Sequence, residues 1–173
     1  MEKKLLVSLI VFLLICVAIW FQVNFLNIFT FFDTAANLAI VFICGVGLLS
    51  GKTPGALVGA VYGILLDILF GKSFGVYLLL YGLLGFASGE MSRGFSKENR
   101  MSMLYMVALF TIVTEVVTNL LFVFIYNYDL EFFMIKKILL ETVYNVILAR
   151  ILFEPLTSLS EIVNKCKNSY YLL

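Results

Sequence analysis

The sequence predicts an all-α, polytopic integral membrane protein with six transmembrane helices. Three observations lead there. Of 173 residues, 62% are hydrophobic and 13% are charged; a soluble domain has about 45–50% apolar and about 25% charged residues. The mean hydropathy is +1.06, so much of the surface is expected to face lipid. The apolar runs are also near spanning length, since a helix needs about 20 residues to cross a bilayer.

The spans are expected at approximately 5–24, 34–50, 53–71, 74–92, 102–126 and 132–153. The first opens with "MEKKLLVSLIVFLLICVAIWFQ". Two lysines before an apolar run resemble a signal peptide. The run continues past residue 20 without a small-x-small cleavage site, so a retained membrane helix is expected. Residues 22–33, "QVNFLNIFTFFD", extend that helix or lie along the interface. "SGKTPG" separates the second and third spans, and Pro54 suits the first turn of a new helix. "GKS" separates the third from the fourth. Residues 1–155 are expected to form the membrane domain and 156–173 a cytoplasmic tail. That tail starts with a stop at Pro155, and Leu156, Leu159, Ile162, Val163 and Cys166 then recur at the spacing of an amphipathic helix.

Basic residues orient the bundle. Six spans put Lys3, Lys4, Lys52, Arg93, Lys97, Arg100, Arg150, Lys165 and Lys167 on one side, against Lys72, Lys136 and Lys137 on the other. Both termini are therefore expected on the cytoplasmic side of the membrane. The loop "EMSRGFSKENR" is a topology determinant or a docking surface. A net charge of +1 gives no reason to expect nucleic acid as a partner.

The third span carries a row of small residues. Gly55, Gly59, Gly63, Asp67 and Gly71 follow one another every four residues, which makes a stripe on one helix face. In lipid, apolar contact between helices drives little association, so close backbone approach and polar pairing hold them together. Gly75, Gly82 and Gly89 recur every seven residues in the next span, with Gly85 beside them. The expectation is a tight helical hairpin. Asp67 either pairs with Lys72, caps amides in the turn, contacts a partner or ligand, or relays protons.

Further polar groups lie at depth. Thr111, Glu115 and Thr118 share a face of the fifth span, with Thr114 and Asn119 nearby; Glu141 and Asn145 are one turn apart on the sixth. A carboxyl group in apolar surroundings favours its neutral form. Glu115 and Glu141 are thus expected to donate hydrogen bonds to neighbouring helices, or to line a pocket or proton path. Arg150 and Glu154 are expected to pair at the interface.

No motif for catalysis or metal binding emerges. "GKT" at 51–53 lacks the glycine a phosphate loop needs, having Val46 there. Histidine is absent, and Cys16, Cys44 and Cys166 are widely spaced. No enzyme activity, cofactor or metal is expected.

The segment "GALVGAVYGILLDILFGKSFGVYLLLYGLLGFASG" resembles the rod shape-determining protein MreD family. The pattern is a small-residue helix ending G-x-x-x-D-x-x-x-G, a short turn, then G-x-Y and a glycine-bearing helix. Here it falls on Gly63, Asp67, Gly71, Gly75, Tyr77, Gly82, Gly85 and Gly89. Where the family has a Pro-Asp-like start to the second span, this chain reads Phe32-Asp33. The resemblance implies a fold similar to the substrate-binding subunits of energy-coupling factor transporters. It also implies work beside an MreC-like protein, an MreB-type actin homologue, a RodA-type glycosyltransferase and a class B penicillin-binding protein, which build lateral peptidoglycan. The function expected is a non-enzymatic membrane scaffold. The alternative is a vitamin-binding transporter subunit whose outward pocket uses Asp67, Thr118, Asn119, Tyr126 and Asn127.

Overall fold

The structure, a computed structural model, describes residues 2–26, 34–70, 75–94, 99–126 and 133–168. Among these residues there are six α-helices and no sheet. Helix α1 is Glu2–Phe21, and a π-helical turn, Gln22–Leu26, continues it. Then come α2 (Leu38–Ser50), α3 (Lys52–Phe70), α4 (Val76–Met91), α5 (Arg100–Tyr126) and α6 (Phe133–Asn168).

Helix α2 is the centre. It is apolar on every side, the pattern of a helix surrounded by others, and Leu38 through Gly45 are buried without interruption. The α3–α4 hairpin packs on one side of it and the α5–α6 pair on the other. Helix α1 is peripheral. Ile15, Ala18 and Ile19 are buried, whereas Leu13, Val17 and Trp20 are exposed.

The outer surface is apolar. Leu57, Ile68, Leu79, Leu83, Phe124 and Ile151 are each more than 60% exposed. Exposed apolar area of this extent marks an interaction or membrane surface. Lys52–Leu69 and Arg100–Leu121 are long and apolar enough to cross a membrane; Leu9–Asn24, Leu38–Ser50 and Val76–Met91 are shorter apolar helices.

Three expected boundaries change. The second segment does not begin at residue 34, because α2 starts only at Leu38 and Asn37 is extended (φ −102°, ψ 94°). Side chains from other elements hold that start: the Asn37 and Leu38 amides donate to Asn145 (2.6 Å) and Gln22 (2.7 Å). The break between α2 and α3 shrinks to Gly51. Its φ of +94° is a left-handed conformation that glycine adopts without a Cβ penalty, and its amide closes on the Gly47 carbonyl at 2.9 Å. Finally, α6 does not stop at Pro155 but runs through it. Leu156 is buried, at the place where a Cβ on Gly45 would meet it. That packing offsets the cost of an interior proline, about 3 kcal/mol, and Leu156 belongs to the core instead of an interfacial tail.

The Arg150–Glu154 pair is also replaced. Glu154 takes Arg100, which reaches it from α5, and Arg150 instead lines a cleft with Asn99, Arg100, Met101 and Leu104. Lys52 on α3 pairs with Glu90 on α4 at 3.2 Å, and Arg93 joins the same carboxylate at 2.8 Å.

Candidate functional site

The α3–α4 contact is backbone against backbone. A Cβ on Gly59 would strike the Tyr81 carbonyl, one on Gly63 the Tyr77 carbonyl, and one on Gly55 the Gly85 carbonyl. From the other side, a Cβ on Gly85 would strike the Gly55 carbonyl, and one on Gly89 the backbone of Lys52. The matched steps of four residues, running in opposite directions, define an antiparallel pair with glycine at each crossing. Gly82 differs, because a Cβ there would meet only Ala60, at 3.8 Å, an ordinary contact. The sequence reading passed over Gly47. A Cβ there would strike the Ser88 hydroxyl, so α2 joins the same close contact.

Asp67 closes the hairpin at its far end. It is 4% exposed. One carboxylate oxygen accepts from the amides of Gly75 (3.1 Å) and Leu78 (3.0 Å), and the other accepts from Tyr77 (3.1 Å). The first amides of a helix have no partner within it, and a carboxylate there also faces the positive end of the helix dipole. Gly75 sits in the left-handed region (φ 94°, ψ −9°), which turns the chain so that these amides converge. Of the partners open to Asp67, the turn amides are the ones it has; Gly71 and the Lys72 side chain lie outside the described residues.

A polar network joins α2, α5 and α6 near the same end. Asn145 is fully buried. Its side chain accepts from the Asn37 amide and donates to the Thr111 hydroxyl at 3.0 Å; Thr111 in turn donates to the Val107 carbonyl at 2.8 Å. Glu141 lies near Asn37 and Asn145, and Glu115 near Glu141; Lys137 is a cation close to both acids. Asn119 turns inward to its own helix, donating to the Glu115 carbonyl at 2.8 Å.

Beside this network is a cleft of about 190 Å³ whose lining includes Gln22, Asn37, Tyr62, Tyr77, Tyr81, Glu115 and Thr118. Tyr77 stacks on Tyr81 (5.9 Å between ring centres), and Tyr62 meets Tyr81 edge-on (6.2 Å). Of the five residues expected to form an outward pocket, Thr118 lines this cleft. Asp67 and Asn119 are engaged elsewhere. Asn127 and the Tyr126 side chain lie outside the described residues. Gln22, Asn37, Tyr62 and Tyr81 were not singled out from sequence. Their only signal was a polar atom inside an apolar run.

The architecture is that of an all-helical membrane protein with a glycine-packed hairpin and a buried polar network. A finer placement comes from sequence comparison. The chain belongs to the MreD family: the model of that family, described as rod shape-determining protein MreD, matches residues 2–161. No curated protein and no solved structure matches it. Membership connects the chain to bacterial cell shape, through a family of structural membrane proteins not known as enzymes.

Proposed function

We infer that this chain is a non-enzymatic scaffold of the cell-elongation machinery, with six spans and both termini in the cytoplasm. The observation that carries the reading is the α3–α4 hairpin. Its helices touch through backbone at Gly55, Gly59, Gly63 and Gly85, and Asp67 pins its turn. Such a pair holds a fixed shape while its outward residues, among them Leu57, Ile68, Leu79 and Leu83, remain free for other membrane helices. The partners in this reading are an MreC-like protein and a class B penicillin-binding protein, each offering a single membrane helix. A RodA-type glycosyltransferase and an MreB-type actin homologue belong to the same assembly, and membrane lipids surround it. The orientation is supported by Lys52, Arg93, Arg100 and Arg150, which lie toward the end of the bundle opposite Asp67.

Complementation tests this reading. In rod-shaped cells depleted of the native protein, Gly59→Leu or Gly63→Leu is expected to give rounded cells. Gly82→Ala is expected to keep them rod-shaped. Normal shape with Gly59→Leu at native expression would count against a rigid-hairpin scaffold.

A further inference from the structure

We propose that the cleft between α3, α4 and α5 is a binding site for an ammonium head group, with the Tyr62 hydroxyl and the Glu115 carboxyl group as its polar contacts. Three independent features lead there. First, Tyr62 is fully buried and lines the cleft, yet its hydroxyl has no hydrogen-bond partner. Buried polar groups are overwhelmingly paired, so an unpaired one on a residue of the cleft wall points to a missing partner. Second, the space is large enough. About 190 Å³ exceeds the share of several waters at about 30 Å³ each.

The third feature is the chemistry of the wall. Tyr62, Tyr77 and Tyr81 contribute aromatic rings, Glu115 a carboxyl group, and Gln22 and Asn37 amides. Among the described residues that line it there is no lysine or arginine. Aromatic faces attract ammonium groups and disfavour anions, and the Glu115 carboxyl oxygens can accept an ammonium's hydrogen bonds. Glu141 is a second acid near Glu115, and Lys137 is a cation near both. Gln22 is already engaged by the Ala36 carbonyl (2.9 Å) and the Leu38 amide (2.7 Å), so it shapes the wall. The cleft also includes Leu66 and Tyr77, neighbours of the Asp67 cap. Tyr62 itself stands near the middle of α3. The ammonium comes either from a lipid head group, as in phosphatidylethanolamine, or from a free amine.

Thermal unfolding of the purified full-length protein in detergent separates these sources. The probes are phosphatidylethanolamine, soluble glycerophosphoethanolamine, free ethanolamine, and phosphatidylglycerol as the lipid without an amine. Stabilisation by phosphatidylethanolamine, with or without its soluble head group, supports a lipid ligand. Stabilisation by ethanolamine but not by the lipid supports a free amine. In either case Tyr62→Phe and Glu115→Gln should each weaken apparent affinity by about three- to tenfold, the value of one or two hydrogen bonds. Tyr62→Phe should leave the ligand-free melting temperature unchanged or higher, since the hydroxyl it removes has no partner in the protein. The proposal is overturned if no amine stabilises the protein, if phosphatidylglycerol does so equally well, or if both variants bind like the parent.

Discussion

At the scale of single residues, Asp67 carries the most structural weight. Three amides of the α4 start converge on its two oxygens, and it is buried, so water cannot replace it. Asp67→Asn keeps one acceptor oxygen and is expected to cost about 1–2 kcal/mol, the scale of a weakened hydrogen-bond set. Asp67→Leu leaves all three amides unpaired at about 1–3 kcal/mol each and is expected to prevent recovery of folded protein. Melting curves and yields in detergent distinguish the two. Equal losses would mean that burial, not acceptance, sets the role of this carboxylate. Asp67 stood out in the sequence because a lone acid in an apolar stretch needs a partner. Which partner was not legible, because the amides follow it by eight to eleven residues, around a turn. Asn145 is harder still. Its bond to the Asn37 amide links residues 108 apart in the chain, and neither spacing nor composition carries that pairing.

At the scale of elements, glycine contacts explain which helices touch. Gly55, Gly59, Gly63 and Asp67 share a face by their spacing of four, and that face meets α4. The seven-residue row in α4 is less uniform. Gly75 serves the turn, Gly85 and Gly89 serve the contact, and Gly82 has room for a methyl group. Gly82→Ala is therefore expected to be neutral or to stabilise by up to about 1 kcal/mol, through helix propensity. Gly59→Ala pushes a methyl group onto the Tyr81 carbonyl and is expected to cost at least about 1–3 kcal/mol. Unfolding of the two variants side by side is the check, and similar stability would refute the close crossing. Helix α6 gives a third expectation. Proline is usually a helix stop, which is why the sequence suggested one at Pro155. The buried positions of Phe153 and Leu156 on either side keep the helix going instead. Pro155 is exposed, so Pro155→Ala is expected to raise stability by up to about 3 kcal/mol, read as a higher melting temperature. A chain that broke at this point would show no gain.

At the scale of the whole molecule, the all-helical class followed from composition, since long apolar runs with few charges have little alternative to helices in lipid. The central place of α2 was less legible. It is the shortest of the six α-helices among the described residues and carries no stripe. Its burial follows from what surrounds it: the hairpin on one side, α5 and α6 on the other, and side chains of Gln22 and Asn145 at its start. An apolar exterior around this centre is what a scaffold among single-span partners requires, and family membership supplies the cellular setting. The most direct test is gentle-detergent purification of the tagged protein from its own membrane, with co-purifying proteins identified by mass spectrometry. The account predicts recovery of an MreC-like protein and a class B penicillin-binding protein, lost together with Gly59→Leu. Recovery of a transport ATPase with its membrane coupling subunit, and of neither shape protein, would contradict it.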